Sequence, residues 1–355
     1  MTRLDYIYII GAFLCAFIIS LAGAPVAKTI AYKIGAIDVP KDARRMHKKP
    51  IPRLGGIAIF AGFYISAIVF DTQYMSREIR GMLLGAIVIV ALGMVDDVMA
   101  LKARVKLLIQ IVATLIPTVC GVRITGIPNL FDPSGAGIVL PVWMQYFVTI
   151  FWMLAILNAV NLLDGLDGLA VGVSTIMSVC VTIIVILLHS PAVAVLAAAL
   201  AGSCLGFIPY NFNPAKMFMG DTGSMFIGYT LSIMSVMGVF KAYAIIAFAI
   251  PFLILGLPIF DMVFVSIRRM LKGKSPMSAD KTHLHHRLID LGFNQKQTVA
   301  IMYAIAAVLG LTAVLIAGEG FMRAAVLVLI VFVIVIMCSV VMYKHKVHKE
   351  IKVKK

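Results

Sequence analysis

Charged residues are scarce in this sequence. Asp, Glu, Lys and Arg make up 13% of its 355 residues, and only 16 are acidic. That excludes an ordinary soluble domain, in which about a quarter of residues are charged. Cysteine is limited to five positions, Cys15, Cys120, Cys180, Cys204 and Cys338, all within apolar runs and none in CxxC spacing. A disulfide framework and a cysteine-based zinc site are excluded, leaving small buried hydrophobes. No internal repeat or low-complexity segment occurs, which argues against an inverted-repeat transporter. Nor is there a cleavable leader pattern: Asp5 offsets Arg3, no small-residue cleavage site follows, and the first apolar run is long enough to span a bilayer.

What the chain has in abundance is apolar length. Hydrophobic residues make up 62%, with a mean hydropathy of +1.03. Eleven runs approach the ~20 residues that cross a bilayer as a helix: 6–27, 55–70, 81–95, 107–122, 142–160, 169–189, 191–210, 224–240, 243–267, 299–317 and 324–343. The second and third are short. The expectation is an all-α, polytopic integral membrane protein of about eleven helices, one embedded domain over 1–355 with a basic tail at 344–355.

The net charge of +15 invites a nucleic-acid reading, which its distribution excludes. With the N-terminus outside, all but six of the 31 Lys and Arg fall in loops on one side; the exceptions are Arg3, Arg77, Arg80, Arg123, Lys241 and Arg323. This is the positive-inside asymmetry, and it sets the C-terminus in the cytoplasm. The tail then meets anionic headgroups rather than nucleic acid. The same alternation places every conspicuous polar motif on the cytoplasmic face.

Four motifs carry chemistry. Asp96-Asp97 ends the third run, with Lys106 heading the next. Adjacent carboxylates on a helix address different partners, one a metal or its water and the other a proton. A solvated helix end is the plainer alternative, although acidic residues oppose the dipole there. Asn158, Asn161, Asp164 and Asp167 recur every three residues and line a pocket near a helix end. Gly165 and Gly168 permit turns and close ligand approach. These hard oxygen donors suit Mg²⁺ or Mn²⁺ completed by phosphates, against the alternative of a polar packing seam. Asn211-Phe-Asn213-Pro-Ala-Lys216 leads into Gly220-Asp221-Thr-Gly223-Ser224, where Asp221 is either an accessible ligand or a helix cap. His283-Leu-His285-His286-Arg287 lacks the partners of a zinc site and suits phosphate and sugar hydroxyls. Asp261, on the same face as Arg268, reads as a structural pair, and the loop His47–Gly56 as either a phosphate contact or a membrane anchor.

Together these segments resemble the polyprenyl-phosphate N-acetylhexosamine-1-phosphate transferases over nearly the whole chain. The leucine at position 284 and the Arg287-Leu288 ending resemble the bacterial branch that uses UDP-GlcNAc, and the basic tail and the Lys48-Lys49-Pro-Ile-Pro-Arg53 loop lean toward initiation of teichoic acid linkage units. The resemblance implies transfer of GlcNAc-1-phosphate from UDP-GlcNAc to undecaprenyl phosphate with release of UMP, at the cytoplasmic face of a bacterial plasma membrane. It implies Asn161 and Asp221 as Mg²⁺ ligands, and Asp96 or Asp97 orienting or deprotonating the lipid phosphate. Lys106 matches a diphosphate contact, Asp167 and Gly168 the uracil site, and His283, His285, His286 and Arg287 the sugar-phosphate loop. Asn158, Asp164 and Asn213 are expected at the substrate, the role of Asp164 being open. Phospho-MurNAc-pentapeptide transfer, a transporter or flippase, and homodimer formation remain alternatives to be tested.

Overall fold

The computed structural model describes residues 1–40, 49–127, 137–238, 245–271, 273 and 283–318. Its helices are α1 (Arg3–Ile34), α2 (Gly56–Phe70), α3 (Arg77–Met99), α4 (Ala103–Val119), α5 (Val142–Leu163), α6 (Leu169–Leu187), α7 (Pro191–Asn211), α8 (Gly220–Gly238), α9 (Ile245–Ile254), α10 (Gly256–Leu271), α11 (Leu284–Asp290) and α12 (Gln295–Ala317). Two antiparallel two-residue pairs complete it, β1 (Ile37–Asp38) with β2 (Ile51–Pro52) and β3 (Gly126–Ile127) with β4 (Ile138–Val139).

This is an all-α polytopic membrane protein. Ten of the eleven expected runs coincide with helices; the eleventh, 324–343, and the basic tail lie outside the described residues. Six described helices are long and apolar enough to cross a membrane. The third is longer than its apolar run suggests, at 23 residues, because Ser76 caps Ile79 well ahead of the hydrophobic stretch. The ninth is split. Pro258 cannot donate to the Ile254 carbonyl, and α9 gives way to α10 at Leu255. Capping boxes at Thr2/Asp5 and Asn294/Gln297 start α1 and α12.

Leu108, Val112, Trp143, Phe147 and Phe151 stand exposed on α4 and α5, side chains that only a lipid surround would leave uncovered in such number. The interior is built differently, from small residues. Gly202 and Gly206 of the alanine-rich α7 lie against the carbonyls of Phe13 and Phe17 of α1, so these helices touch backbone to backbone.

At the centre is α8, packed on α3 and α5. Rich in Ser, Thr and Gly, it is nearly all buried. The hydroxyls of Ser224, Ser232 and Ser235 donate to carbonyls three or four residues back, at 3.0, 2.7 and 2.6 Å, which satisfies them without water. Its N-terminal turn wedges against neighbours at glycines. A Cβ on Gly56 would overlap Gly223, and one on Gly93 would overlap Thr222. These contacts bring the ends of α1, α3, α5 and α7 and the starts of α2, α4, α6, α8 and α12 to one end of the bundle.

Candidate active site

At that end a cavity of about 890 Å³ opens. Asn161, Asp164, Gly165, Asp167, Asn213, Gly220, Asp221 and His286 line it, together with a cationic wall of Lys28, Lys49, Arg53 and Lys216. Six of the fourteen expected site residues therefore share one cavity: Asn161, Asp164, Asp167, Asn213, Asp221 and His286.

The other eight stand behind its walls. Asp97 is buried, and its carboxylate caps α8 from another helix. Oδ1 accepts from the Asp221 backbone at 2.9 Å, and Oδ2 accepts from the Thr222 backbone at 3.0 Å and from Thr222 Oγ1 at 2.7 Å. The helix cap expected locally from Asp221 is thus supplied across 124 residues of sequence. Asp96 accepts from Leu101 N at 2.9 Å and from Lys106 Nζ at 3.0 Å. Lys106 also meets the Asp221 carboxylate and so ties it to Asp96. Asn158 exchanges amide hydrogen bonds with Gln110, at 3.1 Å in one direction and 3.4 Å in the other, and belongs to the packing seam between α4 and α5.

Neighbouring loops are cross-braced. Asp167 Oδ2 accepts from Asn213 Nδ2 and from Ala215 N, both at 3.0 Å. Asn213 also donates to Gln295 at 2.8 Å. Gly168, in the left-handed region at φ 79°, donates its N–H to Asn211 Oδ1 at 3.1 Å and accepts from Tyr303. Asn211 in turn donates to Met217 O at 3.0 Å, binding the 164–168 turn to the 213–219 loop.

The histidine segment is set by a residue expected to pair elsewhere. Asp261 does not meet Arg268; it accepts from His283 Nδ1 at 2.8 Å and from Leu284 N at 2.7 Å, fixing the start of α11. The His283 and His285 rings stack with centroids 5.7 Å apart, and His286 lies 4.4 Å beyond, at the cavity. A Cβ on Gly165 would overlap His285, so that glycine admits the ring. Burial first, then the neighbouring His286, pushes the His285 imidazole down to about 3; it packs as a neutral ring. Arg287 lies 4.5 Å over the Phe264 ring, away from the cavity lining.

Asp164 is different. It lines the cavity, yet its carboxylate makes no hydrogen bond or ion pair among the described residues. Removal from bulk water, then the negative charges of Asp221 and Asp97, push it up to about 8, with Arg53 opposing. Such a group holds a proton that the unfolded chain sheds near its ordinary value of 3.8, so its contribution to stability falls as pH rises from there to about 8. Without divalent cation, Asp164→Asn is expected to unfold at higher temperature than the wild type, by a wider margin near pH 8 than near pH 5. Added Mg²⁺ is expected to narrow that margin by stabilising the wild type. Thermal unfolding in detergent checks this; an equal margin at both pH values contradicts it.

Among the described residues no three His, Cys, Asp or Glu side chains gather as a metal cage. Asn161, 2.8 Å from Ser224 Oγ, and Asp221 offer oxygen donors at the cavity beside the unpartnered Asp164. That thin, hard donor set fits an ion that takes one or two protein ligands and completes its shell with phosphates.

Residues 79–239 match glycosyl transferase family 4. Over 341 residues, covering 94% of this chain and 91% of the relative, the sequence is 38% identical to a Bacillus subtilis protein named probable undecaprenyl-phosphate N-acetylglucosaminyl 1-phosphate transferase. This chain belongs to that family. It is also 35% identical to the decaprenyl-phosphate N-acetylglucosaminephosphotransferase of Mycobacterium tuberculosis, over 81% of this chain and 77% of that one. A Yersinia pestis undecaprenyl-phosphate alpha-N-acetylglucosaminyl 1-phosphate transferase is 30% identical over 84% and 82% of the respective chains.

Lys28, Tyr32 and Gln295 also line the cavity although no motif marks them in the sequence, and Arg53 reaches it from the loop His47–Gly56. Of these only Arg53 carried a signal, as a cation flanked by Pro52 and Gly55-Gly56 beside two apolar runs.

Proposed function

We propose that this chain transfers GlcNAc-1-phosphate from UDP-GlcNAc to undecaprenyl phosphate, giving undecaprenyl-diphospho-GlcNAc and UMP. The observation that carries the proposal is one cavity holding Asp221, Asn161 and Asp164 against a wall of four Lys and Arg side chains, where bundled helices end. Acidic and amide oxygens beside cations suit a metal-bound diphosphate, and a site at the helix ends is open to a lipid headgroup.

In the reaction, an oxygen of the lipid phosphate attacks the phosphorus that bears GlcNAc. The bond from that phosphorus to the bridging oxygen breaks, and UMP leaves with the electron pair. The acceptor phosphate is largely ionised at neutral pH, so no net proton transfer is needed. Catalysis must then come from positioning and from neutralising charge on phosphoryl oxygens. Asn161 and Asp221 would hold Mg²⁺, or Mn²⁺ in its place, which when bound supplies that neutralisation on the diphosphate.

The remaining roles follow from placement. Asp97 fixes the α8 N-terminus, so that the Asp221 backbone and side chain keep their position. Lys106 and Asp96 hold the Asp221 side chain. Asp167 and Asn213 form a braced pair at the part of the cavity assigned, by family resemblance, to uracil. His286 stands at the sugar-phosphate side. The excess of Lys and Arg in the loops at this end supports a cytoplasmic site in a bacterial plasma membrane, and the basic tail and the Lys48–Arg53 loop, by family resemblance, favour a role in beginning a cell-wall polymer such as teichoic acid.

Purified protein is to be given undecaprenyl phosphate, Mg²⁺ and, in separate reactions, UDP-GlcNAc, UDP-GalNAc or UDP-MurNAc-pentapeptide. UMP release with UDP-GlcNAc well above the other two is expected. Preference for the pentapeptide donor would reassign the enzyme to peptidoglycan synthesis, and substrate movement without UMP would make it a transporter.

A further inference from the structure

Resting on the transferase reading above, the geometry points to Arg53 as a phosphate clamp. We infer that its guanidinium grips oxygens of the phosphate groups that meet beside Asp221. Three observations converge on it. The first is backbone placement. Arg53 N donates to Ala36 O at 3.0 Å, while its neighbours bind the loop leading into α8: Phe218 N donates to Pro52 O at 2.8 Å, and Gly55 N and Gly56 N donate to Phe218 O and Met219 O, both at 2.9 Å. The Arg53 carbonyl lies so close to Gly220 that a Cβ there would overlap it, and Gly220 holds a φ of 70° that favours glycine. Arg53 is thereby registered to the residue before Asp221.

The second is the way its side chain is held. Nε lies 3.5 Å from Asp97 Oδ1. That carboxylate already accepts three hydrogen bonds from the start of α8, so the arginine is anchored without being consumed. The third is what remains. The two terminal amines donate no hydrogen bond among the described residues, and the side chain is one-third exposed on the cavity wall. A guanidinium fixed at Nε and open at its fork presents paired donors that match two oxygens of one phosphate. A lysine on the same wall offers a point charge without that geometry.

A purely structural arginine here would be spent on Asp97. Asp97 already has three donors from α8 and the positive dipole of the buried helix start, so one contact at Nε completes its surroundings. The open fork is the part that structure leaves over, and phosphoryl charge is what the reaction must neutralise.

Phosphate oxygens come from both substrates, and kinetics distinguish them. UMP release is to be measured for wild type, Arg53→Met and Arg53→Lys, titrating UDP-GlcNAc and undecaprenyl phosphate separately, with thermal unfolding of each protein. Arg53→Met is expected to stay folded and to lose about 100-fold in kcat/KM. Arg53→Lys should recover only part of this, and added guanidinium should partly rescue Arg53→Met but not Arg53→Lys. A KM rise confined to one substrate assigns the clamp to that substrate's phosphate; a fall in kcat alone assigns it to the transferring phosphorus. Near-wild-type turnover by Arg53→Met, or a loss matched by lost folded protein with unchanged KM values, overturns the inference. Wild type that releases no UMP when given both substrates would instead sink the transferase reading, so the two failures are separable.

Discussion

Asp221→Asn is expected to lower UMP release by about 1,000-fold or more while the protein folds and purifies like wild type. The carboxylate stands at the cavity, tied to Lys106 and beside the Asp96 carboxyl, and Lys106 keeps its second partner, Asp96, when Asp221 is neutralised. An amide at this position retains the shape and one oxygen but loses the charge that would meet a divalent cation. The helix start itself depends on the backbone of Asp221, not its side chain, so stability should change little. The signature is thus a kinetic collapse with an unmoved unfolding temperature, together with loss of the stabilisation expected of Mg²⁺ in wild type. Retention of both activity and the Mg²⁺ effect would remove Asp221 from the site.

Asp97→Asn is expected to do something else. Its two oxygens serve three donors on α8, and an amide would turn an NH₂ toward backbone N–H groups that need an acceptor. Hydrogen bonds to a charged group contribute about 1.5–3 kcal/mol each, so this variant should both unfold several degrees earlier and lose activity by orders of magnitude. Asp97→Ala should behave similarly. If Asp97 acted on the lipid phosphate instead, Asp97→Asn would keep its stability and lose only turnover. Comparing unfolding temperature with kcat for the two aspartates therefore separates a residue that holds the site from one that meets the substrate.

The difference between these two carboxylates bears on what could be seen in advance. Ten apolar runs coincide with described helices, because a run of that length has one inexpensive solution in a bilayer. The motif at Asn158–Gly168 stood out because polar groups beside lipid are costly, and the structure brings Asn161, Asp164 and Asp167 of it to the cavity. What sequence could not show was direction. Asp96 and Asp97 are chain neighbours, yet one faces Lys106 and the other the start of α8, and that choice rests on a contact over a hundred residues away. Asn158 shares the three-residue spacing of its neighbours, but one turn deeper it meets Gln110 rather than the cavity. Asp261 paired with His283 rather than with Arg268 on its own helix, since the histidine returns to it after a long loop. Arg53 was legible only as one cation in a basic loop; its meaning lies in the short pairing that docks it beside Gly220.

The most direct measurement is product stoichiometry in one reaction. Purified protein in detergent, with UDP-GlcNAc, undecaprenyl phosphate and Mg²⁺, should form undecaprenyl-diphospho-GlcNAc and UMP in equal amounts, with neither appearing when either substrate or the divalent cation is withheld. UMP formed without the lipid product, or lipid product formed equally well by Asp221→Asn, would contradict a single transferase site at the start of α8.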